Sequence, residues 1–223
     1  MSTFQSRLRI VTTMIAVVLS WFAISTFLAE TFTPKPPRSW RDFTSQADGN
    51  TVGPLTEWVA STAPLRGDLL SAVAFAQAGR LAQIGKTSAP SDPTAQREAA
   101  ISLAKASLSL APYSSGTWLL LASLQDVGPD RSAAAEALKM SYLTSSADFD
   151  MIPKRLGVFA SVATKADPDL GDLARGDIRL ILTQRPDLKA TISDVYAKGS
   201  SDGKALVFEL VNSQDPAFAA TLQ

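Results

Sequence analysis

The chain has 223 residues, 46% of them apolar, and carries 21 basic and 21 acidic side chains. That is ample apolar material for a packed core, at a length that suits one domain plus an anchor or tail. Setting aside Arg7 and Arg9, which precede a long apolar run, leaves 19 basic residues against 21 acidic ones. This balance is no footprint for nucleic acid, which needs clustered basic charge to displace counterions.

The sequence has no cysteine and no histidine. The first absence removes disulfides, thiol nucleophiles and thiolate zinc sites. The second removes the usual general base near neutral pH and the commonest metal ligand. Ser-His-Asp and Cys-His catalysis are excluded with them.

Taken in chain order, residues 1–9 form a short tail with Arg7 and Arg9, read as cytoplasmic. Residues 10–29 (IVTTMIAVVLSWFAISTFLA) hold no charge. Twenty residues at 1.5 Å each match the ~30 Å hydrocarbon layer of a bilayer, so this run predicts a single transmembrane helix. The two arginines favour the N-terminus inside. A cleaved signal peptide would start in the same way, but its apolar core is shorter and ends at a small-x-small site. Here Ala23-Ile24-Ser25 is followed by bulky Phe27 and Leu28, so the segment reads as an uncleaved anchor.

Residues 30–53 contain Pro34, Pro36 and Pro37, then polar residues, and read as a semi-rigid spacer. Trp40 and Phe43 in it suit either the membrane interface or packing on the domain.

Residues 54–223 read as one α-helical domain. Asp92-Pro93, Asp167-Pro168 and Asp215-Pro216 each place a capping carboxylate before a proline. Proline has no amide to lose at the first helical position, and aspartate accepts an amide that would otherwise be free. Gly128-Pro129-Asp130 suits the end of one helix and the start of the next. Apolar residues recur at helical intervals, as in Leu170, Leu173, Ile178 and Ile181, or Leu156, Phe159, Ala160 and Ala163. The pattern predicts helices near 54–61, 67–85, 93–111, 115–126, 130–144, 152–165, 168–184, 187–198 and 202–213. The last contains ALVFELV, whose β-branched and aromatic content also suits a strand.

Ala100 and Ala104 lead to Pro112, then to Trp118, Leu121 and Ala122, then to Ala134 and Leu138. Residues 97–145 thereby resemble a tetratricopeptide (TPR) repeat, in which small residues let paired helices approach and large ones fill the groove between them. Gln125 stands where the repeat prefers tyrosine and Ser146 where it prefers proline. No convincing second copy follows at the repeat's period. The resemblance therefore implies an all-α, irregular TPR-like helical-repeat domain, which puts Trp118 in the core. The order of anchor, spacer and helices is also similar to membrane-anchored helical-repeat proteins of alphaproteobacteria, some associated with polysaccharide assembly.

The remaining motifs are short. Arg66-Gly67-Asp68 and Arg175-Gly176-Asp177 spell an adhesion tripeptide, but the expected roles are a helix cap for Asp68 and an exposed helix face for Asp177. Asp148 and Asp150 lack the glycine turn and distal glutamate of a calcium loop and read as turn residues before Pro153. There is no nucleotide loop and no nucleophile elbow. Lys154, Arg155, Arg175, Arg179 and Arg185 fall on neighbouring predicted helices and form a candidate basic patch, with Tyr142 as a candidate aromatic anchor. A solvated helix face explains the same charges without a ligand.

The sequence thus predicts a single-pass bacterial inner-membrane protein with a periplasmic domain. No catalytic residue, metal or cofactor is expected. The leading expectation is a non-catalytic scaffold whose helical surface binds a protein partner within a membrane complex. The alternative is an accessory factor in polysaccharide or envelope assembly that binds an anionic glycan or its synthesis machinery.

Overall fold

Helix formation follows the caps. Asp92 accepts the amide of Thr94, Asp167 that of Leu170, and Asp215 that of Phe218, each with proline next in line. Ser200 does the same for Gly203. The computed structural model describes residues 2–32, 66–84, 92–127, 131–145, 148–162 and 167–222. Within them lie ten α-helices and no strand. They are α1 (Ser2–Phe32), α2 (Gly67–Ile84), α3 (Pro93–Leu110), α4 (Ser115–Gln125), α5 (Ser132–Thr144), α6 (Ile152–Val162), α7 (Pro168–Gln184), α8 (Lys189–Lys198), α9 (Ser201–Asn212) and α10 (Pro216–Ala219). Short 3-10 turns at Pro186–Leu188 and Ala220–Leu222 precede α8 and follow α10.

The expected helices from 67 to 213 are present, with ends shifted by up to three residues. The expected helix at 54–61, the spacer and the Gly128-Pro129-Asp130 junction lie outside the described residues. The ALVFELV segment is helical, because Ser200 caps it and its Val207, Leu210 and Val211 share one buried face. A strand would send alternate residues to opposite faces and split that set. The sequence reading assigned no helix after Asp215, although the cap was visible there; α10 fills that place.

α1 is one continuous helix of 31 residues, longer than the predicted span. Its described side chains, at 9–24 and 27, are all exposed. Among the described residues, no helix is long and apolar enough to cross a membrane. The uncharged part of α1 with contiguous described side chains, 10–24, covers only roughly 22 Å at 1.5 Å per residue, short of the ~30 Å needed.

α2 and α3 pack along each other through Ala74, Ala78, Ala100 and Ala104. At the start of α2 a methyl on Gly67 would lie 3.1 Å from both Leu110 Cβ and the Ser107 carbonyl, and the Ser107 hydroxyl donates to the Gly67 carbonyl at 2.7 Å. α4 and α5 form a second pair. Leu119, Leu120, Leu121, Ala122 and Leu124 bury most of the circumference of α4. Ala134, Ala137 and Leu138 form the facing surface of α5. Trp118 is partly buried against this core, and its Nε1 donates to the Pro112 carbonyl at 2.7 Å, closing the α3–α4 corner.

After α5 the pairwise order ends. α6 becomes a hub, with Ile152, Leu156, Phe159 and Ala160 buried among α5, α7, α8 and α9. The carbonyl of Ala160 receives both the amide and the hydroxyl of Ser200, at 2.9 and 3.0 Å. α9 enters so close above it that only glycine fits at 203.

Candidate functional site

The corner between α5 and α6 gathers the chain's most unusual side chains. α6 carries an apolar stripe of Ile152, Leu156 and Phe159, and Arg155 falls within it. α7 carries Leu170, Ala174, Ile178 and Ile181, and Asp177 falls within that stripe. When α5, α6 and α7 pack, these opposite charges enter the interior beside Tyr142. Arg155 is 0% exposed, Asp177 1% and Tyr142 3%.

Arg155 is held by the carboxyl end of α5. Its Nη2 donates to the carbonyls of Ser141 (2.7 Å) and Ser145 (2.5 Å), and its Nε to the Ser141 hydroxyl (3.1 Å). A helix leaves its last carbonyls without intrahelical partners, so this guanidinium caps α5 from the neighbouring helix. It also lies over the Tyr142 ring, 5.0 Å from the centroid. Even so, Arg155 Nη1, the Tyr142 hydroxyl and Asp177 Oδ2 are all buried without a hydrogen-bond partner. The Tyr142 hydroxyl approaches the Asp177 carboxyl closely enough to hold its titration down, but short of full hydrogen-bond geometry.

Burial dominates the titration of this cluster. It pushes the Asp177 carboxyl up to about 7, against the opposing pull of the Arg155 charge and the Tyr142 hydroxyl. It also raises Tyr142 well above the ordinary phenol range, with the Asp177 charge adding to the rise.

Above the cluster lies an open cleft of about 590 Å³ lined by Ser145, Asp148, Phe149, Asp150 and Arg185. Asp148 accepts the Asp150 amide at 3.1 Å and its carbonyl accepts the Met151 amide at 3.1 Å, the turn role expected of it. Arg185 grips Asp187 with two hydrogen bonds, at 2.9 and 2.7 Å, and rests over the Phe149 ring. Arg155 links cleft and interior, since Ser145, whose carbonyl it binds, also lines the cleft.

This arrangement redistributes the basic patch read from the sequence. Tyr142 and Arg155 are interior, because both fall on the faces that α5 and α6 turn toward the core. Lys154 is half-buried within the electrostatic reach of Asp126, and burial lowers its pKa. Arg175 is exposed and pairs with Asp172, and Arg179 is exposed one turn further along α7. The structure therefore does not bring Lys154, Arg155, Arg175, Arg179 and Arg185 onto one surface.

The tripeptides change meaning as well. Asp68 lies inside the first turn of α2, one residue past its start, and binds the Arg66 guanidinium at 2.7 Å. Asp177 is buried, not on the exposed helix face expected for it. The signal that marks it is its position seven residues after Leu170 and four before Ile181, on the apolar stripe. Among the described residues, no three carboxylates gather as metal ligands. Comparison with family models, curated proteins and solved structures finds no match to this chain.

Proposed function

We propose that the chain is a membrane-anchored, non-catalytic scaffold. Residues 10–29 cross a bacterial inner membrane with the N-terminus in the cytoplasm, and the helical domain binds a protein partner on the periplasmic side. The observation that carries this reading is α1. Its large apolar side chains from Ile10 to Ile24, and Phe27, are each 51–69% exposed and lie all around the helix. An apolar surface of that extent is covered by lipid or by another protein, not left to water. The full uncharged run of 20 residues has the length for lipid.

The TPR-like resemblance supports the second half of the reading. Of the residues that carry it, Ala100, Ala104, Leu121, Ala122, Ala134 and Leu138 are buried where helices meet, Trp118 is half-buried and Pro112 is exposed at the α3–α4 corner. Stacked helix pairs expose extended surfaces suited to protein partners. The cleft beside Phe149, with Asp148, Asp150 and Arg185 at its rim, offers a ring and charges of both signs to a polar peptide segment.

The test is a C-terminal tag probed with protease on spheroplasts, followed by crosslinking in native membranes. Cleavage at the outer face, with one abundant crosslinked membrane complex, supports the scaffold. A protected tag refutes the periplasmic placement, and absence of any stoichiometric crosslink refutes the partner.

A further inference from the structure

The chemistry buried between α5, α6 and α7 goes beyond a scaffold role and does not depend on the anchor. Three polar atoms from three helices end there without partners: Tyr142 Oη, Arg155 Nη1 and Asp177 Oδ2. Most buried polar groups are paired, so three orphans at one junction call for a physical account. Arg155 is the natural counter-charge for Asp177, but its Nε and Nη2 are committed to Ser141 and Ser145, and its remaining Nη1 makes no hydrogen bond to the carboxylate. An ionised Asp177 in this place is under-solvated, whereas a protonated one is tolerated.

We propose that the α5–α6–α7 junction is a proton-operated latch, in which protonated Asp177 keeps α7 seated and ionised Asp177 lets α7 part from the carboxyl end of α5.

The groups around Asp177 leave no other candidate for the control. From α6 Arg155 acts on it, and from α5 Tyr142. Lys139 on α5 is paired to Asp167 at 2.8 Å. Lys154 on α6 lies within reach of Asp126. In the 3-10 turn Asp187 is held by Arg185, and on α8 Lys189 is paired to Asp215. Asp194 and Lys198 on α8 are exposed and Tyr196 is half-buried; on α9 Asp202 and Glu209 are exposed and Lys204 half-buried. The shift of Asp177 comes from burial, Arg155 and Tyr142, not from these groups.

The direction follows from linkage. In the closed junction Asp177 titrates at about 7. Once hydrated by opening, it returns to the ordinary carboxylate range near ~4. The closed state therefore holds the proton more tightly. Its advantage is complete below ~4, shrinks as pH rises, and is spent above ~7. Between those limits opening grows by up to about tenfold per pH unit. Because Arg155 also fixes the Ser145 carbonyl, opening alters the cleft formed by Ser145, Asp148 and Phe149.

Hydrogen exchange on the full chain in detergent micelles, from pH 5 to 8 and corrected for intrinsic rates, tests this. Protection of amides in α7 and the last turn of α5 should fall by up to about 100-fold between pH 5 and 7, then level off. Asp177→Asn, which cannot ionise, should abolish that slope. Tyr142→Phe removes a group that holds the Asp177 titration down, so it should move the midpoint upward. A flat wild-type profile, or an unchanged slope in Asp177→Asn, overturns the latch. Should Asp177→Asn fail to fold, an unmoved midpoint in Tyr142→Phe overturns it instead, and a raised midpoint supports it.

Discussion

Replacing Arg155 with methionine keeps the straight side-chain stem and removes the guanidinium. The losses are two hydrogen bonds to carbonyls at the end of α5, one to the Ser141 hydroxyl, and the stacking on Tyr142. Removing one partner of a buried charged pair typically costs about 3–5 kcal/mol, chiefly through the charge left behind. Two features lower that figure here. Asp177, already near 7, escapes by keeping its proton, and the half-buried Ser145 carbonyl can turn to water. The Ser141 carbonyl cannot, since Ser141 is 0% exposed, and it keeps only the long 3.4 Å bond from the Thr144 hydroxyl; an under-satisfied buried acceptor costs about 1–3 kcal/mol. The expected loss is therefore about 2–4 kcal/mol. With a urea slope of about 2 kcal/mol/M, the midpoint followed by circular dichroism falls by about 1–2 M. Arg155→Met with Asp177→Asn should lose less than the two single losses combined, since the pair is removed together. An Arg155→Met midpoint within ~0.3 M of the wild type would refute the idea that this guanidinium caps α5.

Four further outcomes follow. Gly203→Ala would place its methyl 1.9 Å from the Ala160 carbonyl oxygen, and thermal unfolding should show a loss of about 3 kcal/mol; Gly176→Ala on α7, with nothing within 4 Å of the added methyl, should gain about 0.5–1 kcal/mol. Asp167→Ala removes both the cap of α7 and one of the two partners of Lys139, and a urea titration should register a loss of about 1–2 kcal/mol. For the anchor, carbonate-washed membranes should retain the wild-type chain, and Val17→Asp with Leu19→Asp should release it, because each aspartate near the bilayer centre costs about 3 kcal/mol. Equal retention of both chains would count against a lipid-embedded α1.

Much of the fold was legible because its signals are local. The Asp-Pro pairs at 92, 167 and 215 set helix starts through contacts within three residues of each cap. The small residues around Ala100, Ala104 and Ala122 announced close helix packing before any partner was known. The candidate site was not legible in that way. In the sequence Arg155 belongs to a run of basic residues and Asp177 to a charged tripeptide, and charged side chains are usually solvated.

By itself the sequence determined the helices between 67 and 213 to within about three residues, the uncharged run of α1 and the absence of thiol and imidazole chemistry, because each depends on residues close together in the chain. Only the tertiary structure decided which charges go inside. Arg155 and Asp177 fall within the apolar stripes of α6 and α7, but whether those stripes meet depends on how α6 and α7 pack on α5, and that packing joins residues far apart in sequence. At that junction burial outweighs the attraction of the neighbouring arginine for the Asp177 carboxyl, a balance no local pattern contains.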